Sequence, residues 1–142
     1  MKKHLNVVLV AWILFLLDQI AKYFFYNQWF LSQLDILHPA FNTWVSRSVQ
    51  IPLAVIILIA GFALGAFIVA YQRKYLTWIV FVFLLAGTLW NLVDRIILQW
   101  VRDFLYIGSR FPVFNIADIY LNIGVLLFII PEFFAWKRKK ES

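Results

Sequence analysis

"SVQIPLAVIILIAGFALGAFIVAYQ", residues 48–72, carries no charged side chain between Arg47 and Arg73. Its 25 residues exceed the ~20 apolar residues a helix needs to cross the hydrocarbon layer. The whole chain has the same character. Of 142 residues, 64% are hydrophobic, 20% aromatic and only 14% charged, with a mean hydropathy of +0.84. Soluble domains hold about 45–50% apolar and about 25% charged residues. The chain therefore reads as one integral membrane domain spanning 1–142.

Working outward, the hydropathy fits four membrane helices, at about 5–26, 50–72, 75–95 and 115–136. The first imitates a secretory signal, with a basic start and an apolar core from Leu5 to Leu17. It leads into "DQIAKYFF" with no small-x-small cleavage pattern, so it reads as a retained helix. The second and third are joined by a short basic turn and form a hairpin. Their "GFALG", Gly61 to Gly65, matches a small-xxx-small packing motif, expected to act within the bundle and not in dimerisation. A monomer is expected.

The formal charge of +6 is not spread as a nucleic-acid surface would be. Lys2, Lys3, Arg73, Lys74, Lys137, Arg138, Lys139 and Lys140 occupy the two termini and the hairpin turn. Lys22, Arg47, Arg95, Arg102 and Arg110 fall toward the other side. By the positive-inside rule both termini are cytoplasmic and the two longer connections external. The external segments are rich in rings that suit the headgroup layer, among them Trp29, Phe30, Trp44, Trp100 and Tyr106. "LDILHPAFNTWVSRSVQIP" holds either a short strand or an interfacial helix. With no cysteine there is no disulfide, thiol catalysis or cysteine metal site, and His4 and His38 stand too far apart to suggest a metal. No cofactor is implied.

The acids carry the functional signal. Glu141 and Glu132 lie near the basic tail and Asp35 in a loop, which leaves Asp18, Asp94, Asp103 and Asp118 near the external face. A carboxylate in an apolar helix costs roughly 2.5–3.5 kcal/mol on insertion scales, so it needs partners or a task. Asn115 and Asn122, at −3 and +4 from Asp118, would share its helical face. Asp18 and Lys22 stand at i and i+4 with the acid first, the favourable order; a structural pair and a substrate contact both fit. Asn91, Asp94 and Arg95 stand at i, i+3 and i+4, with Asp94 expected to pair with Arg95. Asp103 and Asp118 come at one depth on neighbouring elements. Held close, two such acids share a proton, one serving as base and one as acid. Polar contacts between helices are the alternative.

These segments together resemble lipoprotein signal peptidase (signal peptidase II), a bacterial four-helix membrane aspartic protease. "DQIAK" is similar to that family's D-Q-x-[ST]-K, "NLVDR" to the end of G-G-A-x-G-N-x-x-D-R, "VRDF" to V-x-D-F and "FNIAD" to F-N-x-A-D. The resemblance implies Asp103 and Asp118 as the catalytic pair. It implies Asp18, Lys22, Asn42, Asn91, Asp94, Arg95 and Asn115 as substrate-binding or supporting residues, with no metal. It implies cleavage of a prolipoprotein just before a diacylglyceryl cysteine, in contact with membrane lipid at the outer face of the cytoplasmic (inner) membrane. The chain departs from the family's pattern at Ala21, at Trp44 and Arg47 in "NTWVSRS", and at Trp90 in "AGTLWN". Glycines allow close backbone approach, so tryptophans in their places change the packing around a substrate. A lipopeptide binder that does not cut and a small four-helix transporter are the rival readings. The transporter would require an acid at mid-bilayer and little Lys/Arg bias, neither of which this chain has.

Overall fold

The computed structural model describes residues 2–26, 36–42 and 51–141. Four helices are long and apolar enough to span a membrane. They are α1 (Lys2–Ala21), continued by a π-helical turn at Lys22–Tyr26, α2 (Leu53–Gln72), α3 (Trp78–Leu98) and α4 (Ile116–Glu141). Between them lie two strands, β1 (Leu37–Asn42) and β2 (Val101–Leu105). Trp44, Arg47, Trp29, Phe30 and Asp35 lie outside the described residues.

Helix α3 organises the molecule, because α1, α2 and α4 all pack on it. Its start is set by Thr77, whose hydroxyl accepts from the Val80 N–H at 3.4 Å. Its end is set by Gln99, which turns left-handed (φ 69°) while its N–H closes on the Arg95 carbonyl at 3.0 Å. These two signals move the helix about one turn later than hydropathy placed it.

The closest helix crossing joins α3 to α4. A methyl group added at Gly87 would lie 2.6 Å from the Leu121 nitrogen and 2.7 Å from the Ala117 oxygen. One added at Gly124 would meet Leu84 at 2.9 Å. Only glycine lets two backbones approach so closely. The expectation for "GFALG" was misplaced. Gly61 and Gly65 have nothing within 4 Å of an added methyl, since α2 packs on one side only and buries just Ile56. Its other faces present Leu58 and Phe62, 72% and 81% exposed, as a lipid-facing surface does.

Strands β1 and β2 pair antiparallel, with Ala40 opposite Asp103, Phe41 opposite Arg102 and Asn42 opposite Val101. The first connection thus holds a strand, and "VRDFL", expected in a loop, is its partner. The ladder shifts register between Leu37 and Ala40, where Pro39 has no N–H to give. β2 is also tied to the start of α4 through reciprocal Leu105 and Phe114 hydrogen bonds of 2.8 and 3.0 Å. The intervening chain turns at Gly108 (φ 111°), a conformation that side chains disfavour. Phe104, fully buried, stacks on Phe25 and closes a small core with Ala21 and Leu37.

The end of α1, the end of α3, the start of α4 and the sheet therefore meet at one end of the bundle. At the opposite end lie the start of α1, the α2–α3 turn and the basic tail, which α4 carries as a continuous helix to Glu141.

Candidate active site

Five acids and amides and one lysine are buried at that first end, a costly set in an apolar bundle unless every atom is paired. They are Asp18, Lys22, Asn91, Asp94, Asp103 and Asn115. Lys22 is the hub, 0% exposed, at the first position of the π-helical turn. Its ammonium lies 2.8 Å from an Asp18 oxygen and 3.2 Å from an Asp94 oxygen, and donates to Asn91 Oδ1 at 3.3 Å. Three donors meet three acceptors. Both partners of the Asp18–Lys22 pair are 0% exposed, which sets them within the packed interior.

The start of α4 explains why "FNIAD" has its form. Asn115 is the residue before the helix, and its Oδ1 accepts from the Asp118 N–H at 3.1 Å. Asp118 Oδ2 reaches back to accept from the Asn115 N–H at 3.0 Å. This is a reciprocal capping box built from Asn and Asp. A third exposed helix-start donor, the Ala117 N–H, is taken by Asp18 Oδ1 from α1 at 3.1 Å. Asn115 thus caps the helix and does not lie on its face. Asn122 turns away and donates to the Asp118 carbonyl at 2.9 Å.

Two amides connect the two candidate catalytic acids. Asn115 Nδ2 donates to Asp103 Oδ1 at 2.6 Å and to Asn91 Oδ1 at 3.0 Å. Asn91 Nδ2 donates to Asp118 Oδ1 at 2.7 Å. Asp103 from β2 and Asp118 from α4 are thus held through one shared Asn91–Asn115 bridge. Asp103 is buried and Asp118 half-buried, so Asp118 is the more accessible member of the pair.

Asp94 does not pair with Arg95 as expected, because adjacent helical residues point in different directions. Its carboxylate receives Arg102 twice, at 2.7 Å from Nη2 and 3.2 Å from Nε, besides the Arg102 backbone N–H at 3.3 Å. Arg102 Nη2 also donates to Gln19 Oε1 at 2.7 Å. The fork clamps β2, and hence Asp103, onto α1 and α3. Arg95 instead exerts its charge on Asp103, Asp118 and Asp94 together. Asn42 sits at the end of β1, paired in the ladder with Val101 beside this cluster. Sequence reasoning missed Arg102 and Gln19. The signal available was the alternation in "VRDFL", which sends Arg102 and Asp103 to opposite faces of a strand.

Among the described residues, four carboxylates (Asp18, Asp94, Asp103 and Asp118) stand with three cations (Lys22, Arg95 and Arg102). A single proton held on the acids makes the cluster neutral. Among the described residues no group of His, Cys, Asp and Glu is arranged to hold a metal ion.

Residues 10–134 match the family model of signal peptidase (SPase) II. The chain belongs to the signal peptidase II family. Two solved structures agree in fold. One, a bacterial membrane enzyme determined by the in meso method at 2.3 Å, has a TM-score of 0.78 and 26% identity, over 96% of this chain and 93% of its own. Another, a bacterial membrane enzyme determined by the same method at 1.9 Å, has a TM-score of 0.75 and 25% identity, over 89% and 91%. The chain is thus a multi-pass membrane peptidase of the signal peptidase II family, which removes signal peptides from lipoprotein precursors. Membership in signal peptidase II does not favour the transporter or the non-cutting binder.

Proposed function

We propose that cleavage follows a two-aspartate mechanism at Asp103 and Asp118, just before the diacylglyceryl cysteine of the precursor. The observation that carries this reading is the Asn91–Asn115 bridge between the two acids. One acid is ionised and takes a proton from water as the oxygen adds to the scissile carbonyl. The other gives its proton to the carbonyl oxygen, forming a gem-diol. Collapse of that intermediate breaks the C–N bond: the leaving amine takes a proton from the acid that received one, and a gem-diol hydroxyl returns its proton to the other acid. The neutrality of the cluster with one shared proton supports this cycle, since the dyad begins and ends in that state.

Lys22, Asp18 and Asp94 maintain the frame around the dyad, Asn91 and Asn115 set its spacing, and Arg95 lends its charge to the peptide side. Asn42 lies where the β1 end would line the peptide path. The enzyme works as a monomer in the bacterial inner membrane, with the dyad toward the external face and the lipid chains between helices.

The test is cleavage of a diacylglyceryl-modified lipopeptide by Asp103→Asn, Asp118→Asn and the double variant, alongside their melting temperatures. Each single variant should lose activity by at least about 10²-fold, since general acid–base help is worth about 10²–10⁴-fold. The double variant should be little worse, because residues acting as a unit are non-additive. Asp118→Asn turns an N–H₂ toward one of two donors and so loses one hydrogen bond, about 1 kcal/mol of stability. Asp103→Asn still accepts from Asn115. Retention of a tenth of wild-type activity by either folded variant overturns the mechanism.

A further inference from the structure

Trp90 immediately precedes Asn91, the amide that holds Asp118, and stands where the family's glycine pattern has no side chain. Its indole is half-buried in the seam between α1 and α3, packed against Phe15 with ring centroids 4.3 Å apart. Its Nε1 atom is buried and has no hydrogen-bond acceptor among the described residues. Buried tryptophan nitrogens ordinarily have a partner, because an unpaired donor in a low-dielectric interior is destabilising.

Depth restricts what that partner can be. Trp90 lies one helical turn before Asp94, and Phe15 about one turn before Asp18, so the ring pair sits just below the polar layer. Backbone carbonyls at this level of α1 and α3 are used by their own helices, and hydrocarbon chains offer no acceptor. The acceptor that belongs just below a peptide bound at the polar layer is the ester carbonyl of a glycerol lipid. On a diacylglyceryl cysteine, that ester is only a few bonds from the scissile peptide. We propose that the Trp90 indole N–H donates to a glycerol-ester carbonyl of the lipid-modified substrate, making Trp90 a specificity residue for ester-linked lipid. The proposal rests on the lipopeptide reading above. Phe15, itself half-buried on the seam, must turn aside for the carbonyl to enter.

The same carbonyl chemistry exists in bulk phospholipid, so the test separates the two sources. Wild type and Trp90→Phe are reconstituted in ether-linked phospholipid, which has no ester. Two lipopeptides are compared, one with diacyl ester chains and one with dialkyl ether chains, by Kd and by kcat/KM. Trp90→Phe should weaken both measures about 3- to 10-fold for the ester peptide. For the ether peptide it should leave them within about twofold of wild type. An equal effect on the two peptides, or none, overturns the proposal. Repeating the measurement in ester phospholipid locates the donor. A loss that appears only there, and equally for both peptides, assigns the N–H to bulk lipid and also overturns it. If neither peptide is cut by wild type, the peptidase reading fails while the ratio of Kd values still decides the role of Trp90. Trp90→Phe also trims the ring packing on Phe15, a loss that acts on both peptides alike, so the difference between ester and ether peptide in the folded variant is what decides.

Discussion

Lys22 shows how one buried charge organises its surroundings. A lysine at 0% exposure in an apolar bundle is tolerable only because two carboxylates and an amide oxygen surround its ammonium. Its stem crosses from α1 to α3, so the same contacts that offset its desolvation also fix the distance between those helices. Lys22→Met keeps the length and volume but leaves buried Asp18 without a cation and Asp94 with Arg102 alone. Breaking a buried pair in this way is destabilising by about 3–5 kcal/mol. The variant should melt far below wild type in detergent, and its activity should fall with its folded fraction. Unchanged melting with lost activity would instead make Lys22 a substrate contact. Arg102 differs, being partly exposed at 19%, so its fork onto Asp94 and Gln19 contributes orientation of β2 more than stability.

At the scale of elements, the α3–α4 crossing brings Asn91 within 2.7 Å of Asp118, and Gly87 is what permits that crossing. Gly87→Ala places a methyl against the backbone of Ala117 and Leu121, atoms that move only if the whole helix moves. Overpacking of this kind costs about 1–3 kcal/mol. The separation it forces should lengthen the Asn91–Asp118 hydrogen bond, so cleavage should drop at least tenfold, as a displacement of about 1 Å can cost 10²-fold. Gly61→Ala, facing open space, should leave both melting temperature and activity near wild type. Equal effects of the two substitutions would refute this account of the crossing. The contrast between Gly61 and Gly87 separates what the sequence makes legible from what depends on tertiary contacts. The four helices were legible because hydropathy is an additive property of each segment. The partner of Asp18 was legible because i and i+4 are neighbours on any helix. The choice between Gly61 and Gly87 was not, since a glycine's neighbours lie on another helix. Nor was β2, five residues whose pairing with β1 depends on a partner some 60 positions away in sequence. The Asp94–Arg102 clamp was missed for the same reason, because it exists only once that strand has formed.

For the whole molecule, the two ends of the bundle differ in electrical character. One end holds a balanced, buried cluster of four acids and three bases. The other collects exposed Arg73, Lys74, Lys137, Arg138 and Lys140, with Lys140 lying over the Trp136 ring at 5.4 Å. Translocating the second end would desolvate many exposed cations, whereas at the first end Lys22 and Arg102 are already paired with buried carboxylates. Insertion should therefore leave the basic end cytoplasmic and the dyad at the external face. The absence of native cysteine makes this directly measurable. Ser109→Cys marks an exposed site in the loop beside the dyad end, and Gln72→Cys an exposed site at the α2–α3 turn. In intact cells a membrane-impermeant maleimide should label the first and spare the second, which should react only after permeabilisation. The opposite pattern would put Asp103 and Asp118 on the cytoplasmic side. A precursor cut there would be processed before its mature part crossed the membrane, and the proposed site of action would fail while the family assignment stood.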